Sequence, residues 1–201
     1  EGDAARETLL RSLVRCAREH DLERLDAGVG TRLDALKAET VNLLAGLEWG
    51  IGHEPALALE LLAALDWFWF HADQPVRGRR LCEWALAAGD QAPAPARLRV
   101  VVHATWLATM TGDFATLEPR VAALRALAES CADARALAHA RMCEGDLAMS
   151  RGDAAGAVAI LEEARQQFEA LHDPWGLMVC LTALGVVALD QGDPAAAVTA
   201  F

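Results

Sequence analysis

The stretch MCEGDLAMSRGDAAGAVAIL, Met142 to Leu161, decides the fold. At its centre stand Gly152 and Asp153. Steps of 40 residues from this pair reach Gly192 and Asp193 ahead, Gly112 and Asp113 behind, and then Ala72 and Asp73. Small and apolar residues keep the same register on either side: Ala108, Ala148 and Ala188 before the pair, Leu81, Val121, Leu161 and Phe201 after it. A fixed period of this size marks stacked copies of one supersecondary unit, none of which buries its apolar face alone.

Ala134 to Arg151 and Ala154 to Leu171 both carry apolar residues at helical spacing with no proline inside, so each reads as a helix. Gly152 is the stop, because glycine enters the left-handed region without a Cβ clash. Asp153 is the N-cap of the next helix, its carboxylate accepting from the free N–H groups of the first turn. One unit is therefore a helical hairpin turning at Gly-Asp. Gly145, Ala157 and Ala164, and Gly185 and Ala197 in the following unit, are small enough for two helices to approach closely.

The front of the chain reads as helices over Asp3 to Leu25, Thr31 to Gly50 and Glu54 to His71, separated by turns at Ala27 to Thr31 and Gly50 to Pro55. Leu9, Leu10, Leu13, Val14 and Ala17 form the apolar face of the first, and Leu33, Leu36, Val41, Leu44 and Leu47 that of the second. Val76 to Ala88 is the next helix and Gly89 to Pro95 a connector. The expected organisation is an N-terminal helical pair over 1–53, then repeats over 54–89, 94–131, 134–172 and 174–201.

With 54% apolar residues and no Tyr, the composition favours helix throughout. The net charge is -11 and Lys37 is the sole lysine, so the surface repels phosphate backbones and direct nucleic-acid binding is not expected. No signal peptide opens the chain and no long uncharged apolar run crosses a membrane, and Cys16, Cys82, Cys131, Cys143 and Cys180 include no Cys-x-x-Cys pair. The pattern fits reduced thiols packed as small residues in a cytoplasmic protein. Glu1 is not an initiator Met and Phe201 interrupts a helix, so the 201 residues are read as a piece of a larger protein.

Gly145, Gly152, Ala157, Leu161 and Ala164, echoed by Gly185, Gly192, Ala197 and Phe201, fall at the relative spacings of the consensus positions of the tetratricopeptide repeat, which the chain resembles from about Pro55 onward. It departs from that family in a period of 40 rather than about 34, and in that the consensus Trp and Tyr of the first helix are absent or moved. The resemblance implies an all-α, TPR-like right-handed superhelix of antiparallel helix pairs. The run Leu36 to Trp49, then Trp67-Phe68-Trp69 and Gly78 to Gly89, is also similar to the start of the helical-repeat region in LuxR-type and SARP-like regulators of the signal-transduction ATPases, the STAND class. Asn42 and Leu43 keep the end of a Glu-His-Asp-Asn-Leu motif common there, whereas Thr40 and Val41 depart from it. In those proteins a TPR-like sensor is joined to an ATPase core and a DNA-binding domain. No phosphate-binding loop is present in this chain, since such a loop needs a lysine after its last glycine and Lys37 has none.

What the resemblance implies for function is recognition without catalysis: a protein segment or small effector held in the concave groove lined by the first helix of each pair. By register the groove positions are Asp66, Trp69 and Phe70, then Arg99, His103, Trp106 and Met110, then His139, Met142, Asp146 and Met149, and finally Thr182, Val186 and Asp190. The plain alternative for Trp69, Trp106 and the methionines is core packing. A stand-alone adaptor scaffold is the competing function. His139, Cys143 and Asp146 share one helix face and are metal-ligand types, but a solenoid groove seldom closes a tetrahedral site, and neither metal, cofactor nor catalytic residue is expected. Arg77, Arg79 and Arg80 read as a solvated face or a docking site for a neighbouring domain. The last long helix, Trp175 to Leu189, is apolar nearly all round, so self-association through this end is expected.

Overall fold

The computed structural model describes residues 2–88 and 92–200. Glu1, Gly89, Asp90, Gln91 and Phe201 lie outside it, and with them the repeat position expected at Phe201 and the first part of the Gly89 to Pro95 connector. All regular structure among the described residues is helical, and none of these helices is long and apolar enough to cross a membrane. The chain divides into two compact units, Glu1–Leu107 and Ala108–Phe201.

The first unit begins with α1 (Gly2–Glu19), α2 (Val29–Ala38), α3 (Thr40–His53) and α4 (Pro55–Ala64). Helices α1, α3 and α4 pack on one another through Leu10, Leu43, Leu47, Leu59 and Leu62, all fully buried. Gly46 and Gly50 let α3 lie against α1: a Cβ on Gly46 would sit 2.6 Å from a Leu13 methyl, and one on Gly50 2.8 Å from a Leu10 methyl. Helix α1 ends six residues before the expected Leu25, and Leu9, expected inward, is 43% exposed. The helix expected over Thr31 to Gly50 is two. At Glu39 the N–H bonds back to Leu36 and the Thr40 hydroxyl donates to the Lys37 carbonyl, which closes α2 and lets α3 start in a new phase. Val41 thereby points outward, 79% exposed, and Leu43 takes its place inside. The front half of α2 is held instead by Arg32, which donates to Asp26 and to the carbonyls of Asp21 and Arg24, so the turn ends at Gly28 rather than Thr31.

A second interruption falls at Leu65 to Trp67, where one expected helix becomes α4 and the single turn α5 (Phe68–His71). The aromatic run straddles that break, and Trp67, Phe68 and Trp69 turn inward while Phe70 stays 39% exposed. Helix α6 (Pro75–Ala88) then crosses Trp69 at Gly78, where a Cβ would lie 2.3 Å from the indole. Helix α7 (Ala94–Met110) completes the unit with its residues up to Leu107.

The second unit is where the repeat is regular. After the end of α7 come a 3-10 turn (Phe114–Thr116), α8 (Leu117–Ser130), α9 (Ala134–Ser150), α10 (Ala154–Ala170), α11 (Pro174–Asp190) and α12 (Pro194–Ala200), each packed on the next from α8 onward. Gly112, Ala132, Gly152, His172 and Gly192 all take positive φ, between 52° and 79°. At each of these residues the N–H bonds back three residues, and the following Asp N–H bonds back five, the double bond that closes a helix. The Asp that follows then opens the next helix: Asp133 accepts from Ala136, Asp153 from Gly156, Asp173 from Trp175 and Gly176, and Asp193 from Ala196. Corners therefore recur every 20 residues, half the period read from Gly-Asp alone, and α9, α10 and α11 are 17 residues each.

Asp73 does not obey the expected register. It is itself the left-handed residue, φ 58°, with its N–H on Phe70 and that of Gln74 on Trp69, so Gln74 holds the capping position and Asp73 that of Gly152. The proline explains the slip: Pro75 aligns with Pro174 and Pro194, the first residues of their helices, where a missing N–H costs nothing. Between helices, the small positions behave as read. A Cβ on Gly145 would meet Leu161 at 2.6 Å, and Ala157, Ala164 and Ala197 are buried.

Candidate functional site

The expected groove positions separate into those the fold buries and those it presents. In the first unit, Trp69 is fully buried against α6, so it is core and not a surface for a partner. His103 and Trp106 on α7 are 5% exposed each and belong to an aromatic cluster with Trp67 and Phe70. The Trp67 and Trp106 rings are 4.9 Å apart, Phe70 and Trp106 5.3 Å, and His103 lies 5.7 Å from Trp106. Of this cluster Phe70 alone reaches solvent appreciably.

Asp66 and Arg99 are joined. The Arg99 guanidinium donates to Asp66 at 2.5 Å and to Glu23 at 2.8 Å, linking the α4–α5 break, α7 and the loop after α1. Burial raises the Asp66 carboxyl above its ordinary range, Arg99 pulls it back, and the nearby Glu23 adds to the rise. The Arg99 side chain is 44% exposed. Glu23 was not legible as a member of this group: it lies 76 residues from Arg99 and outside the repeat.

In the second unit, Met142 is fully buried and His139 is 7% exposed with its ring 4.9 Å from Phe168, edge on. Both are packing residues, which is the alternative reading for the methionines. Asp146 and Met149 are half-buried. Burial pushes the Asp146 carboxyl up to about 6, against a hydrogen bond from Thr109. Burial also holds the Cys143 thiol well above its usual value and the Cys180 thiol up to about 12, with the Asp146 charge adding to both. The thiolate, the form that attacks electrophiles and binds metals, is thus disfavoured at both. Among the described residues no three His, Cys, Asp or Glu side chains are placed to hold a metal ion.

On α11 the stripe Met178, Thr182, Val186 and Asp190 faces solvent, with Met178 44% and Val186 38% exposed. One period earlier the same register on α9 is Ala138, Met142, Asp146 and Ser150, of which Ala138 and Met142 are fully buried. The covered face of α9 is the open face of α11. Elsewhere in this unit charges are paired: Arg125 and Arg141 both donate to Glu144, and Arg135 donates to the buried Asp173 at 2.6 Å.

No protein-family model matches the chain, and no curated protein is similar to it. Function has the repeat and these side chains to stand on.

Proposed function

We propose that this chain is a non-catalytic recognition module, a TPR-like superhelical sensor that binds a protein segment or small effector and biases a bacterial signal-transduction ATPase regulator of transcription. The observation that carries the reading is the corner repeated at Gly112, Ala132, Gly152, His172 and Gly192, each followed by Asp. Equal helices closed by equal corners stack into an array, and arrays of this kind recognise partners with their inner face. Phe70 and Arg99 in the first unit, and Met110, Thr182, Val186 and Asp190 in the second, are the groove positions with most surface to offer. Within the first unit these set an aromatic ring and a cation at the surface, and within the second mostly apolar side chains with Asp190, as suits contact with an amphipathic segment or an apolar effector. The buried thiols Cys143 and Cys180 of the second unit are poor nucleophiles at neutral pH, which favours recognition over thiol chemistry.

The test begins with the gene that encodes these residues. A phosphate-binding loop and a DNA-binding helix in the same reading frame are expected, and deletion of residues 54–200 should leave ATP hydrolysis in place but unresponsive to effector. A reading frame without the phosphate loop would instead favour the stand-alone adaptor, whose surface for a partner would be the same.

A further inference from the structure

We propose that Asp66 and Glu23 form a proton-sharing carboxyl pair on Arg99, and that loss of the shared proton releases the loop between α1 and α2 from the rest of the first unit. One nitrogen holds both acids. Arg99 Nη2 donates to Asp66 Oδ2 at 2.5 Å and to Glu23 Oε1 at 2.8 Å, so two carboxyls from distant parts of the chain converge on a single cation. The Asp66 side chain, at the α4–α5 break, is 15% exposed, and that of Glu23, in the loop, 23%. With both ionised, the cluster holds one uncompensated negative charge in a largely buried place, the condition under which two neighbouring acids keep one proton between them. A second observation points the same way. Asp66 Oδ1 is buried with no hydrogen-bond partner among the described residues, and a proton on Asp66 makes it a donor to Glu23, which lies within hydrogen-bonding reach.

The surrounding elements bring these groups. On α7, His103 is buried against Trp67 and Trp106. On α6, burial holds the Cys82 thiol far above its usual range, with the Asp66 charge adding, so it stays neutral, and Glu83 beside it accepts from Arg79. On α5, burial lowers His71, and Lys37 of α2 lowers it further. Arg18 of α1 and Glu60 of α4, which share a cleft with Arg99, pair with each other at 2.8 Å, and in the loop Asp26 is held by Arg24 and Arg32. In this setting burial lifts Asp66 to about 7, with Arg99 opposing and Glu23 adding, and the proton belongs to the pair. Once it leaves, the two carboxylates repel. Glu23 is the less buried and sits on a loop, so it is the one that moves, and the buried Leu22 moves with it. A raised carboxyl stabilises the closed form in full at acid pH and loses that contribution as pH rises through 7, so the loop is closed at low pH and released at high. The spot where Arg99 meets solvent then turns from neutral to negative.

The test follows the side-chain carboxyl carbons of Asp66 and Glu23 by NMR in the isotopically labelled 201-residue chain, assigned with Asp66→Asn and Glu23→Gln. Both signals should move through one shared midpoint near 7, and Glu23→Gln, which leaves Asp66 alone with Arg99, should bring the Asp66 midpoint down into the ordinary carboxylate range. Amide hydrogen exchange over residues 20–28, divided by that of an unstructured peptide of the same sequence at each pH, should rise about tenfold from about pH 6 to about pH 8. Asp66→Asn, whose amide donates to Glu23 at every pH, should abolish the rise, and so should Glu23→Gln at its partly exposed position, so the result does not hang on one variant. His103→Gln should keep it. Asp66 and Glu23 titrating independently below about pH 5 overturns the proposal. So does an exchange ratio that stays flat with pH, a rise that survives both carboxyl variants, or one that His103→Gln removes.

Discussion

Single residues at the corners decide how the second unit closes. Gly152 sits at φ 79° with open space where a Cβ would go, so Gly152→Ala adds backbone strain and nothing else, and should lower stability by about 1 kcal/mol in urea unfolding. Ala132 and His172 carry that strain in the native chain at φ 52°, and Ala132→Gly should raise the urea midpoint by a similar amount, less the entropy glycine adds to the unfolded state. Asp133 and Asp173 were as readable as Asp153. Their corners lack the Gly-Asp signature, because Ala132 and His172 do the conformational work of glycine without its sequence signal. Two carboxyls give opposite pH signs. Asp146, raised to about 6, stabilises the fold below pH 4, where the unfolded chain is also protonated, and loses that contribution as pH rises through 6. Asp146→Asn should therefore stabilise the chain by about 2 kcal/mol at pH 8 and leave it unchanged at pH 3.5, compared by urea titration at each pH. Asp173 is also pushed up by burial, but Arg135 and the Gly176 N–H win and hold it below its ordinary value, so its contribution is present at neutral pH and fades as pH falls.

At the scale of helices, what the periodicity could show depended on whether a helix was interrupted. The pairs α9 and α10, and α11 after them, end within a residue of where apolar spacing and Gly-Asp put their ends. The helices expected over Thr31 to Gly50 and Glu54 to His71 are each broken, at Glu39 and at Leu65, by local hydrogen bonds and backbone geometry that leave the apolar spacing almost intact. Phase is what suffered: Val41 went outside and Leu43 inside. The close approach of α9 and α10 is a property of the pair. Gly145→Ala should cost about 2 kcal/mol, because Leu161 is fully buried and has nowhere to move. Adding Leu161→Ala should recover part of that loss, so a double-mutant cycle by urea unfolding should show coupling of opposite sign to two independent lesions.

For the whole molecule, the repeat was legible and the groove less so. Register says which residue of a helix corresponds to which, but not whether a neighbour covers it, and Trp69 and Met142 shared a register with exposed residues while being core. Register singles out Arg99 and Asp66, yet their bond to each other and to Glu23 depends on the break before α5 and on a loop outside the repeat. The open stripe on α11 bears on assembly. Leu181 and Leu184 of α11 with Val158 of α10 line a further cleft of about 530 Å³, and Leu189 and Val198 are 52% and 77% exposed. Sedimentation of the 201-residue chain should show concentration-dependent self-association, and Met178→Asp with Val186→Asp should return it to a monomer without lowering its Tm. A chain that stays monomeric at high concentration would remove this end from the list of interfaces.

Because α9, α10 and α11 are of one length and every corner between them has the same bonds, removal of Ala134 through Asp173 would join an aspartate to the start of α11 just as the native chain does. Nothing in the seam would know that two helices had gone. A chain built this way can gain or lose reach in whole hairpins by simple duplication or excision of its gene, so the number of hairpins becomes a quantity that selection, or a designer, is free to adjust.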